Sequence, residues 1–140
     1  MSLVDSLQAA LAGEHAAVYG YGVIGARLAG TSSSVRARSG YDTHRARRSS
    51  LRTAIVSGGA EPVAAEAAYD LGGPVLTPAQ AKALAARIEL AAAATYADVV
   101  AASDGAARGI PASWLSDAAV RAAGWSGTAA VFPGLPERSR

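Results

Sequence analysis

The 140-residue chain has no cysteine, one phenylalanine, one methionine, two tryptophans and a single lysine. Without thiols it cannot be a disulfide scaffold or hold a metal through sulfur. The scarcity of large apolar side chains is equally restrictive. Hydrophobic residues make up 51% of the chain, but 36 of them are alanine. A buried methyl group covers little area and gains little from leaving water. Such a core must bring backbones close together instead, and alanine allows this best between helices. An alanine-rich sheet is excluded, because strands favour β-branched and aromatic residues. The length suits one domain with one core.

Thirteen basic residues against 11 acidic ones leave a net charge of +2, so no strong global field is expected. All the basic residues except Lys82 are arginine, which together with the alanine excess reads as the mark of a GC-rich coding genome. The N-terminus carries Asp5 and no basic segment, so it does not read as a signal peptide. The alanine run from Leu90 to Ala102 is interrupted by Asp98, and no uncharged stretch is long enough to span a bilayer. These features predict a soluble cytoplasmic protein with no membrane partner.

Apolar periodicity predicts four helices. Ser2 and Asp5 form a capping box that opens helix 1, which runs over about 3–29 with Leu7, Leu11, Val18, Tyr21 and Leu28 on one stripe. After the Thr31 to Ser34 break, helix 2 covers about 35–56, with Tyr41, His44, Leu51 and Ile55 aligned and Gly58 and Gly59 ending it. Thr77, Pro78 and Gln80 supply an N-cap, a proline at N1 and a glutamine at N3 for helix 3, over about 78–103. A shorter helix 4 follows over about 112–125. The tail, 126–140, is extended and apolar enough around Val131 and Phe132 to dock on the bundle.

Connection lengths set the topology. The links between helices 1 and 2 and between helices 3 and 4 suit antiparallel neighbours. The link over about 57–77 is far longer. Extended, it reaches about 66 Å, twice the roughly 33 Å length of helix 2. Two antiparallel hairpins joined by one long crossover describe an all-α, ferritin-like four-helix bundle.

Di-metal proteins of that fold place one Glu on each of two helices and Glu-x-x-His on the other two. Carboxylates neutralise and bridge the cations while imidazoles supply terminal nitrogens. Here helix 1 offers Glu14, helix 2 His44, helix 3 Glu89 and helix 4 Asp117. Tyr41 stands where helix 2 should carry a carboxylate, and Val120 where helix 4 should carry a histidine. An incomplete, vestigial metal site without catalytic residues is the expectation, with no cofactor. The alternative is an iron- or manganese-dependent oxidase or iron-binding protein using these four residues. Arg48, one turn after His44, is the expected charge partner of Glu14 or Glu89. His15 points away from Glu14 and is expected to flank the site. Tyr21, Tyr41 and Tyr96 fall on inward stripes and are expected to surround it as hydrogen-bonding core residues.

Several blocks carry a family likeness: Leu7 to Leu11 (LQAAL), Glu14 to Gly22 (EHAAVYGYG), His44 to Arg48 (HRARR), Tyr96 to Ser103 (YADVVAAS), Ala119 to Trp125 (AVRAAGW) and Phe132 to Glu137 (FPGLPE). Together they resemble a ferritin-like family of unknown function from high-GC bacteria. The resemblance spans nearly the whole chain. It implies a ferritin-like bundle, a homodimer and no established activity, and it supplies no catalytic residues.

Two other signals carry less. Gly20 to Gly25 matches the dinucleotide fingerprint, but it lies inside a helix rather than between a strand and a helix. Six arginines between Arg36 and Arg52 offer a further alternative, anion or nucleic-acid binding. Near-neutral overall charge and the lack of aromatic interleaving beyond Tyr41 favour an ordinary solvated helix face there.

Overall fold

The computed structural model describes residues 1–138. It is a four-helix bundle: α1 (Leu3–Leu28), α2 (Ser34–Ser57), α3 (Pro78–Ala102) and α4 (Gly109–Ser126). Short 3-10 turns precede α4 (Gly105–Arg108) and end the described tail (Pro136–Arg138). No strand occurs among the described residues. The Ser2 and Asp5 capping box opens α1, and Thr77 and Gln80 form another at α3, with Pro78 in its first turn. Each box satisfies backbone N–H groups that have no partner inside the helix. Gly59, at φ 81°, lets the chain leave α2 in a conformation that other residues rarely adopt.

Side-chain pairs fix the helix directions. Glu14 meets His44 while Tyr21 lies against Gly40, so α1 and α2 are antiparallel. Tyr21 meets Glu89 while Glu14 meets Tyr96, so α1 and α3 are antiparallel as well. Arg36 reaches Gly124 and Arg47 reaches Asp117, which sets α2 against α4. The helices therefore form a ring in which neighbours are antiparallel and diagonal pairs, α1 with α4 and α2 with α3, are parallel. Only a long connection can join two parallel helices, and residues 58–77 supply it.

Alanine does what its abundance suggests. Ala10, Ala17, Ala37, Ala81, Ala85, Ala93 and Ala118 are all buried. Glycine lets a neighbouring side chain press directly on a helix backbone: a Cβ on Gly40 would lie 2.3 Å from the Tyr21 ring, and one on Gly20 2.6 Å from the Ile88 side chain. The α1–α2, α1–α3 and α3–α4 faces are closely packed, whereas α2 and α4 are joined mainly by long side chains. Leu11, Leu51, Ile55 and Val99 form an apolar cluster toward one end of the bundle, and Tyr21, Ile24, Leu28, Leu84 and Trp125 toward the other. The polar residues lie between them.

The crossover is strapped to α1 by polar contacts. Gln8 donates to the Glu61 carbonyl (2.6 Å) and accepts from the Val63 amide (2.8 Å). His15 Nε2–H donates to the Val63 carbonyl (3.0 Å), and Arg27 to that of Val75 (2.9 Å). Helix α4 begins earlier than its apolar pattern suggests, because the 3-10 turn leads directly into it at Gly109. The tail meets the bundle at Gly134, where a Cβ would lie 2.8 Å from the Ala93 carbonyl oxygen, while Val131 is 79% exposed. The last two residues of the expected tail lie outside the described range. Among the described residues, no helix is long and apolar enough to cross a membrane.

Candidate functional site

Glu14, His44 and Glu89 come together at mid-height, each fully or almost fully buried. Both ring nitrogens of His44 lie against carboxylate oxygens: Nδ1–H donates to Glu14 Oε2 (2.7 Å) and Nε2–H to Glu89 Oε1 (3.1 Å). Only the imidazolium can donate from both nitrogens. Burial pushes the His44 pKa down, but the hydrogen bonds and charges of Glu14 and Glu89 outweigh it and raise the value to about 9. His44 is therefore the cation of a buried Glu–His–Glu triplet.

Two phenols complete the triplet. Tyr96 donates to Glu14 Oε1, and Tyr21 donates to Glu89 Oε1 at 2.5 Å. Burial, and then the facing carboxylates, push both phenols well above their usual pKa range, so they remain neutral donors. The Tyr21 ring also stacks on His44, with centroids 5.3 Å apart. Trp125 Nε1–H donates to the Tyr21 hydroxyl at 3.0 Å. On the far side Arg47 donates to the Tyr96 hydroxyl (3.4 Å) and to Asp117 Oδ2 (2.5 Å). Arg121 donates to the same Asp117 oxygen (2.9 Å) and to Thr43 Oγ1 (2.9 Å). Partial burial would raise the Asp117 pKa, but its hydrogen bonds from Arg121 and Arg47 win and hold it below the ordinary carboxylate range.

The result is one hydrogen-bonded chain from Trp125 through Tyr21, Glu89, His44, Glu14, Tyr96, Arg47 and Asp117 to Arg121. It visits all four helices. Its three carboxylates, Glu14, Glu89 and Asp117, face three cations, His44, Arg47 and Arg121, so it is internally neutral.

The fit to a metal centre follows from the same contacts. A ligating imidazole needs a free lone pair, and both nitrogens of His44 carry donated protons. Three of the four oxygens of Glu14 and Glu89 accept hydrogen bonds, and Glu89 Oε2 alone has no partner. Val120, at the position of a second histidine, is 72% exposed and faces away from the site. Among the described residues, no group of three or more His, Cys, Asp or Glu is arranged to hold a metal ion. The donor set does not fit a dinuclear centre.

Three expectations need correction. The buried guanidinium is that of Arg47, not Arg48, which is only half-buried. Both follow His44 by about one turn, and their order on the helix wheel does not choose between them. Arg47 wins because it lies on the α4 side, where the rings of Tyr96 and Trp114 (5.3 and 5.5 Å) and Asp117 receive it. Asp117 does not join Glu14, His44 and Glu89; it sits beyond Tyr96 between two guanidiniums. Tyr41 is half-buried outside the chain of hydrogen bonds, beneath Arg45. His15, expected only to flank the site, anchors the crossover. Sequence reasoning gave no role in the site to Arg47, Arg121 or the Trp125 indole. The signal available for Arg121 was its spacing four residues after Asp117.

Comparison with known proteins adds a structural relative. A crystal structure of a conserved hypothetical protein, rv2844, from Mycobacterium tuberculosis superimposes with a TM-score of 0.83 at 31% sequence identity, covering 88% of this chain and 93% of that one. No curated protein matches the sequence. A family model described as "Domain of unknown function (DUF4439)" matches residues 6–137. With nearly its full length covered, the chain belongs to that family of unknown function.

Proposed function

We propose that this protein is a ferritin-like bundle without catalytic activity or metal cofactor, in which an internal ion chain occupies the place where the fold builds its metal centre. The observation that carries this reading is the engagement of both His44 nitrogens by Glu14 and Glu89. The ring of antiparallel neighbours with one crossover supports the ferritin-like assignment, since bundles of that type build their sites in the core from facing helices. A charge-balanced chain of hydrogen bonds that visits all four helices supports a role in fixing their register, a known use of buried polar groups. A structural or interaction role follows, with a second copy of the chain as the first partner to test.

Elemental analysis tests the metal side directly. The protein is purified without chelator, loaded with ferrous iron or manganese under air, and desalted. The expected result is well under one metal per chain. Stoichiometric metal that is lost in Glu14→Ala would overturn the proposal in favour of the iron or manganese oxidase reading. Sedimentation velocity tests the partner: a single species at 14.0 kDa would remove the homodimer.

A further inference from the structure

The charge of this chain is unevenly placed. Six arginines and one aspartate give α2 a net +5, and since the whole chain carries +2 the rest is net −3. The outer face of α2 holds most of that excess. Arg38, Arg45 and Arg52 are exposed and spaced seven residues apart, so they fall on one stripe about 21 Å long. Arg48 is half-buried beside them. Among the described residues, Arg38 pairs only with exposed Asp42 at 3.4 Å, and no carboxylate lies within ion-pairing distance of Arg45, Arg48 or Arg52. None of these cations is used by the buried chain of hydrogen bonds.

Beside the stripe lies an open groove between α1 and α2. It consists of two recesses, of about 450 and 540 Å³, that share Gly22, Ala26 and Tyr41 as lining residues. Arg38 borders one and Arg27 the other. Nothing would contact a Cβ placed on Gly22 or Gly25, so a flat group can lie against the backbone of α1 there. The Arg45 guanidinium sits 5.5 Å from the centre of the Tyr41 ring, which holds a cation and an aromatic surface together at the edge of the groove.

We infer that the outer face of α2, with the adjoining α1 groove, binds single-stranded nucleic acid, its phosphates on Arg38, Arg45 and Arg52 and a base against Tyr41. A line of exposed guanidiniums, of which Arg45 and Arg52 have no carboxylate partner among the described residues, complements any polyanion. The aromatic ring and the bare groove select among polyanions, because a single strand can offer an unstacked base to a tyrosine and a duplex cannot. An acidic peptide would use the arginines and leave Tyr41 idle. This inference is independent of the metal-free reading of the interior and stands or falls without it.

Fluorescence anisotropy with a labelled oligothymidylate of about 15 nucleotides tests it. The expected result is saturable binding that weakens between about 50 and 200 mM salt, with a log–log slope near −2 for three neutralised phosphates. A duplex of equal length binds more weakly. The double variant Arg45→Glu/Arg52→Glu weakens binding at least about tenfold and flattens the slope. Tyr41→Leu weakens it about fivefold and leaves the slope unchanged, which separates stacking from charge. Absence of binding at about 50 mM salt would overturn the inference. So would equal or tighter binding of the duplex, of polyglutamate or of anionic vesicles, or full affinity in Tyr41→Leu. Circular dichroism of each variant confirms that the helices are intact.

Discussion

The ring of Tyr21 occupies the space that a side chain on residue 40 would need: a Cβ there would lie 2.3 Å from Tyr21 Cε1 and 2.9 Å from its hydroxyl. The ring lies in that space while its hydroxyl donates to Glu89 Oε1. Gly40→Ala should therefore destabilise the protein. Helix propensity favours the change by about 1 kcal/mol, but overpacking against a buried ring costs about 1–3 kcal/mol. Gly25→Ala is the matched control, since it lies in α1 and meets nothing within 4 Å. Urea unfolding should give a lower midpoint for Gly40→Ala and one unchanged or higher for Gly25→Ala. A stabilised Gly40→Ala protein would refute the packing account.

His44 makes stability depend on pH in a definite direction. Its folded pKa, about 9, lies above the ordinary value of 6.5. The stabilisation is then complete below about pH 6.5 and is lost as pH rises through about 9. A rise of that size corresponds to an effect on the order of 3 kcal/mol. Denaturation midpoints measured between pH 6 and 10 should fall on the alkaline side, and His44→Gln should remove that slope. It should also cost about 3–5 kcal/mol, because it leaves two buried carboxylates without their cation. A flat alkaline profile in the unchanged protein would show that His44 is not the imidazolium.

The architecture was legible because it depends on patterns that a sequence displays directly. The caps at Ser2 and Thr77, the glycines after α2 and the one long link are local signals, and together they leave few ways to arrange four helices. Glu14, His44 and Glu89 were legible for a related reason: each interrupts an apolar stripe. Arg47 and Asp117 were not, since their roles depend on which side of α2 faces α4. Helical spacing gives a residue's angle only to within the width of a face, and at that resolution Arg47 and Arg48 are equivalent. Val120 misled for the same reason, because its stripe on α4 turns out to face solvent. The protonation state of His44 lay wholly beyond the sequence, being set by two carboxylates contributed from different helices.

The choice between Arg47 and Arg48 is itself measurable. Arg47 contacts Asp117, Tyr96 and the faces of two aromatic rings, whereas Arg48 is half-buried at the edge of α2. Arg47→Met should cost about 1–3 kcal/mol by removing the guanidinium from the buried Tyr96 hydroxyl and from Asp117, which is 41% exposed and keeps Arg121. Arg47→Lys should recover little of it, since an ammonium reproduces neither the planar stacking nor the two-partner geometry. Arg48→Met should stay within about 0.5 kcal/mol of the unchanged protein. Chemical denaturation of the three variants decides the matter; comparable losses in Arg47→Met and Arg48→Met would sink the assignment.

The crossover offers a test of local rather than global stability. Gln8 holds residues 61 and 63 through two hydrogen bonds, and His15 holds the same stretch through the Val63 carbonyl. Most of the segment's own side chains are exposed, including Val63 at 41%, so little apolar burial retains it. Such a segment can open without unfolding the bundle. Gln8→Ala removes both bonds at a half-buried position and should cost about 1 kcal/mol locally. Amide hydrogen exchange should then quicken several-fold over residues 61–64 while the buried parts of α1 and α3 keep their protection. If exchange instead rises throughout the bundle, the crossover is part of the cooperative core and the picture of a separately latched strap is wrong.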